Sequence, residues 1–160
     1  MKRQYALALE IGIGVVAGLR PITALAVIAS ALRHRWIRPG DSPFARIVST
    51  STSKRIAEFA ISELVADKLP FTRSRLDVAP LTLRIASGAI CGTAIHGTVK
   101  GSPVKGAVLG GLGALAGAIS GYRVRQRLSR DMPDLVVALL EDALAVGAGA
   151  TIVALEAATE

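Results

Sequence analysis

The chain has 160 residues, 51% hydrophobic, 4% aromatic and 19% charged, with a mean hydropathy of +0.49, a formal net charge of +7 and a pI near 10.3. So aliphatic a composition excludes an ordinary soluble domain, which needs charge spread over its whole surface. The cations Lys2, Arg3, Arg33, Arg35, Arg38, Arg46, Lys54, Arg55, Lys68, Arg73, Arg75 and the run Arg123 to Arg130 bracket apolar stretches instead of lining one face with interleaved aromatics. That pattern excludes nucleic acid as a partner and fits loops at lipid headgroups.

The length fits one domain, 1–160. Cys91 is the single cysteine, which excludes an intramolecular disulfide and a cysteine metal cage; between Ile90 and Gly92 it reads as a small packing residue. At the start of the chain Lys2 and Arg3 have the look of a secretory leader. Glu10 interrupts the apolar run, however, and Arg20-Pro21 stands where a small-residue cleavage site belongs, so the segment is expected to stay in the mature protein.

Residues 5–19 form the first apolar helix candidate and 22–33 the second, separated by Arg20-Pro21. At about 1.5 Å per residue, neither alone crosses a hydrocarbon core of about 30 Å comfortably. They are therefore one span kinked at Pro21 or two half-helices. Basic residues at both outer ends favour the hairpin, with its bend at Gly18-Leu19-Arg20-Pro21.

Residues 34–53 read as a polar loop, with a turn at Pro39-Gly40-Asp41. The stretch SKRIAEFAISELVADKLP then has helical periodicity from a Ser53 N-cap to Pro70. Glu58, Glu63, Asp67 and Lys68 make it too charged for a lipid-facing span, so an amphipathic or re-entrant helix is expected. Residues 80–99, opened by Pro80, and 104–122 are long enough to span, and the short Gly101–Pro103 connection makes them an antiparallel hairpin. The cluster Arg123 to Arg130 marks a cytoplasmic end, and Pro133 to about Ala158 forms the most hydrophobic span.

Glycines four apart, Gly106 and Gly110, then Gly113, Gly117 and Gly121, with Gly88 and Gly92 in the hairpin partner, predict close helix contacts. The same surface offers a homodimer contact through helix 104–122. Aligning Leu9-Glu10 with Leu140-Glu141 also matches Val15, Ala17 and Gly18 to Val146, Ala148 and Gly149, a faint internal echo of the kind built into small transporters.

A charged side chain at the bilayer centre costs at least ~2.5–3.5 kcal/mol. Glu10, Arg20, Glu63, Asp67, Arg84, Glu141 and Asp142 must therefore turn inward. Glu10, Gly14 and Gly18 share a helical face, as do Glu63 with Asp67 and Glu141 with Ala145 and Gly149. In one reading the charges pair, Glu10 or Glu141 with Arg20 or Arg84, and hold the bundle together. In the other they line a hydrated site for a proton, a cation or a small polar solute. The acids Glu141 and Asp142, with no base in their own span, tip the balance towards the second. His96 reads chiefly as a hydrogen-bonding residue at the interface and secondarily as a proton relay. No cofactor, metal site, phosphate loop or hydrolase motif is expected.

The segments AGLRPITALAVIA, ELVADKLPFTRSRLDVAPLTLRIASGAI, GAVLGGLGALAGAISGYRVR and LLEDALAVGAG together resemble the bacterial membrane family catalogued as domain of unknown function 4126. Glu63, Ala66, Asp67, Lys68 and Pro70 form the most specific part of the resemblance. It implies an integral membrane protein and carries no catalytic residue across. It also turns 63–84 into a candidate re-entrant element whose acids, with Asp77 and Arg84, face Glu10, Arg20 and Glu141.

The expectation is thus an all-α, multi-pass transmembrane bundle with broken or re-entrant helices, placed in a bacterial inner membrane with its N-terminus cytoplasmic. Its partners are the lipid bilayer, a small polar solute or ion bound at the inward-facing charges, and a second copy of the chain. It is not an enzyme. A scaffold held by structural ion pairs, or a lipid-headgroup binder using Arg20 and Arg84, are the alternatives.

Overall fold

The computed structural model describes residues 2–37, 48, 50–66, 77–96 and 102–159. Among them are six helices: α1 (Lys2–Leu19), α2 (Pro21–Arg33), α3 (Thr50–Ala66), α4 (Val78–His96), α5 (Pro103–Leu128) and α6 (Asp134–Thr159). The chain is all-helical in these residues. Three helices, Val78–His96, Pro103–Leu128 and Asp134–Ala158, are long and apolar enough to cross a membrane, while Ala6–Leu19 and Pro21–Arg33 are shorter apolar pieces. The lipid-facing character of α6 shows in its exposed Leu139, Leu140, Leu144 and Leu155.

Glycine contacts fix the helix directions. Gly14 abuts the Gly110 carbonyl, Gly18 that of Ala114, and Gly113 and Gly117 abut the carbonyls of Ile11 and Val15, so α5 runs parallel to α1. Gly88 meets Gly110 and Gly92 meets Gly106, which makes α4 and α5 antiparallel, as the short connection predicts. Gly121 of α5 lies by both Leu19 of α1 and Glu141 of α6, and farther along α6 Gly149 lies by Val27 and Ile152 by Gly12. Leaving the break at Arg20, α1 traced backwards and α2 traced forwards therefore run the same way along α6. This is the hairpin and not the kinked span.

Helix α3 runs back along α2, because Ser53 Oγ donates to the Ala29 carbonyl at 3.4 Å while Glu63 reaches the start of α2. The starts of α1, α3 and α5 and the ends of α2, α4 and α6 share one end of the bundle, here the near end. The break at Arg20 faces the far end.

Three expectations change. Helix α3 begins at Thr50 and not at a Ser53 cap, since Ser53 is buried inside it against α2; its expected continuation to Pro70 lies outside the described residues. Helix α5 continues to Leu128, straight through Arg123, Arg125 and Arg127, whose long side chains let a helix end stand in headgroups. The basic clusters Lys2-Arg3 and Arg123 to Arg130 lie at opposite ends, so the two cannot both mark the cytoplasmic side.

The core comprises Ile13, Val16, Ala17, Ala24, Ile28, Ala94, Ile95, Ala114, Ala145 and Val153, with Cys91 fully buried among them as the packing residue expected. Both glycine stripes of α5 are occupied within the chain, by α1 and α4. A homodimer through those glycines would have to displace one of these helices.

Candidate functional site

The helix break is built from residues far apart in sequence. Pro21 at the first position of α2 has no N–H to satisfy and leaves Arg20 extended, at φ −139° and ψ 91°. The Arg20 N–H still donates to Val16 O at 2.8 Å, and Ala24 N–H to Arg20 O at 3.1 Å. The amides of Ile22 and Thr23 have no partner within their own helix. Both donate to Glu63 Oε2, at 3.2 and 3.3 Å, so a carboxylate from α3 caps the positive end of α2.

The other face of the break is the mirror case. Arg84 Nε donates to the Gly18 carbonyl at 3.0 Å, placing a guanidinium on the negative end of α1, and its Nη1 donates to Pro80 O at 3.1 Å. Arg20, 2% exposed, pairs with Asp142 of α6 at 2.5 Å. Burial holds the Glu63 carboxyl above its usual range, against the lowering pull of the Arg20 charge, the two amides and Arg84. Beside this layer, Glu141 Oε2 lies 3.8 Å from Arg125 Nη1.

Glu10 stands elsewhere. It is 0% exposed and its Oε1 lies 2.6 Å from Nδ1 of His96, the last residue of α4, which is 8% exposed. Ten positions of α1 separate Glu10 from Arg20, about 15 Å along the axis. Glu10 Oε2 and His96 Nε2 are buried without a hydrogen-bond partner among the described residues, as is the Thr23 hydroxyl. The charges thus form two layers: Glu10–His96 towards the near end, and Arg20, Glu63, Arg84, Asp142 and Glu141 towards the far end.

The expected residues Arg20, Glu63, Arg84, Asp142 and Glu141 are brought together, Glu10 is not among them, and Asp67 lies outside the described residues. A single pocket bounded by Glu10, Glu63 and Glu141 is replaced by this separation. Asp77, expected to face the interior, is exposed. Among the contacts of these groups, Glu10 meets His96, Glu141 meets Arg125, Arg20 meets Asp142, and Arg84 meets backbone carbonyls.

Two partners lay outside the expected site. His96 ends its span and so reads as an interfacial residue, yet α4 descends beside α1 until His96 is level with Glu10. Arg125 belongs to a run that reads as a headgroup anchor. The available signal was arithmetic: an acid in a span without a base must find one in another span.

No curated protein and no solved structure matches this chain. Residues 7–158 match the family described as domain of unknown function 4126 (DUF4126), which covers nearly the whole chain. With its three apolar helices of spanning length and its inward-turned charges, the chain belongs to the DUF4126 family.

Proposed function

We propose that this protein carries protons, or a small cation exchanged for them, through the interior of a helical bundle in the membrane. The observation that carries the reading is the Glu10–His96 pair, at 2.6 Å and sealed from solvent. A carboxylate oxygen at 2.6 Å from an imidazole nitrogen gives a proton a direct path from one group to the other. Each partner also keeps one buried atom without a hydrogen bond among the described residues. Buried polar atoms of this kind are uncommon and call for a proton, a water or a cation. The far layer supplies a second station, where Glu63 and Asp142 surround Arg20.

The same reading places the protein in the bacterial inner membrane with its near end in the cytoplasm. In support, among the described residues Lys2, Arg3, Arg33, Arg35, Lys54, Arg55 and Lys105 belong to the near end, against Arg123, Arg125, Arg127 and Arg130 at the far end.

Proteoliposomes loaded with a pH-sensitive dye test the proposal. With potassium and valinomycin setting the membrane potential, the native chain should acidify or alkalinise the lumen, and Glu10→Gln should lower the rate about a hundredfold or more, the scale of one removed proton-transfer group. Equal rates for the native chain and Glu10→Gln overturn the proposal.

A second reading, a non-transporting scaffold, draws on the far layer, where acids and bases are matched and two helix ends are capped. It predicts no flux from the native chain. Headgroup binding by Arg20 and Arg84 has less support, because both guanidinium groups are already engaged inside the bundle.

A further inference from the structure

Helices α5 and α6 are joined by a short turn, yet α6 packs on α1 and α2 and leaves α5 across a groove of about 250 Å³. Leu19 forms part of its floor, Val124, Leu140 and Leu144 its walls, and Arg125 with Glu141 its polar part. Val124, Leu140 and Leu144 are 53%, 52% and 62% exposed, so the walls are large aliphatic side chains that nothing in the chain covers among the described residues.

Polarity changes along the groove. From Leu144 it runs past Arg125 and Glu141 to Leu128 and Val137 at the far end, and Arg125 lies between Glu141 and Asp134 at 3.8 and 4.0 Å. Arg130 sits in the connecting turn at that end, and Arg127 in the last turn of α5. An aliphatic slot with the Arg125 guanidinium on its side and Arg127 and Arg130 near its far end is complementary to an anionic amphiphile. The volume holds roughly eight groups of about 30 Å³ each, part of one acyl chain, and is less than one turn of a helix about 10 Å across occupies.

We propose that this groove binds an anionic phospholipid, its acyl chain along Leu140 and Leu144 and its phosphate on Arg125, with Arg130 beside it. Glu141 then shares Arg125 with the phosphate. The lipid bridges α5 and α6 at a place where the protein itself provides little contact between them. The site is separate from the Glu10–His96 pair and stands whether or not protons move there.

Brominated lipids test this directly. The only native tryptophan, Trp36, is exposed near the other end of the bundle, so a Trp36→Phe chain carrying Leu144→Trp reports from the groove alone. Reconstituted with chain-brominated phosphatidylglycerol diluted in unbrominated phosphatidylcholine, Trp at position 144 should be quenched with an apparent affinity about fivefold higher than with brominated phosphatidylcholine, the ratio for one basic residue meeting an anionic headgroup. Arg125→Lys should keep that preference and Arg125→Gln should abolish it. Equal quenching by the two lipids means an ordinary annular contact and overturns the proposal. So does a preference that survives Arg125→Gln. Protection from both lipids, with a cross-linked dimer through position 144, assigns the groove to a second copy instead.

Discussion

Gly110 takes close approaches from two helices at once. Its carbonyl meets Gly14 of α1 and Gly88 of α4, and a Cβ on Gly110 itself would strike the Gly88 carbonyl. Backbone cannot yield as the tip of a side chain can, so Gly110→Ala must push α4 away from α5. The expected cost is about 1–3 kcal/mol, read as a lowered unfolding midpoint in detergent. Gly147, inside α6 with nothing within 4 Å of its added Cβ, provides the contrast: Gly147→Ala should lose nothing and gain up to about 1 kcal/mol. Equal losses from the two changes would mean that close packing at Gly110 does not hold the bundle together. The four-residue spacing made this contact legible in the sequence. It named the hairpin partner with Gly88 and Gly92 and did not say that α1 would fill the stripe at Gly113 and Gly117, because a small-residue stripe accepts any backbone. The stripe that reads as a dimer surface is filled by α1 and α4.

At the level of whole helices, the break at Arg20-Pro21 shows what local sequence reveals and what it leaves to the fold. Proline announces the interruption, and charges at both outer ends announce the hairpin. The capping groups are 40 and 66 residues from their backbone partners, and no local pattern specifies them. Glu63 read as a charge too many for a lipid-facing span; it serves as the N-cap that Arg20, having no side-chain cap bond, does not supply. Glu63→Ala should therefore destabilise the chain by about 1–2 kcal/mol, as the loss of a helix cap does, with the amide exchange of Ile22 and Thr23 accelerated ahead of the rest of α2. Glu63→Gln keeps a side-chain carbonyl that can accept and should lose less. Uniform acceleration along α2, or none at Ile22 and Thr23, would show that these amides are satisfied elsewhere.

Across the whole molecule, the two charge layers follow from an alternation of helix directions that the sequence only half discloses. The hydrophobic runs gave the number of long spans, and the short loop paired α4 with α5. Which acid would stand level with which base depended on how far each helix slides past its neighbour, a quantity set by glycine contacts and invisible in hydropathy. The internal echo shows this well: Glu10 and Glu141 match in sequence, but α1 and α6 run antiparallel, so the two acids lie towards opposite ends of the bundle. The same alternation puts Lys54 at the near end, in the first turns of α3, and Arg130 at the far end, just beyond α5. Lys54 and Arg130 are both exposed, whereas Cys91 is fully buried and should remain silent to thiol reagents. In sealed vesicles of fixed orientation, a membrane-impermeant maleimide should therefore label Lys54→Cys from one side only and Arg130→Cys from the other only. Near-end labelling from the cytoplasmic face also fits the excess of basic residues there among the described residues. Labelling of both positions from one face would mean that the bundle does not cross the bilayer along its helix axes, and the inward turn of its charges would then need a different cause.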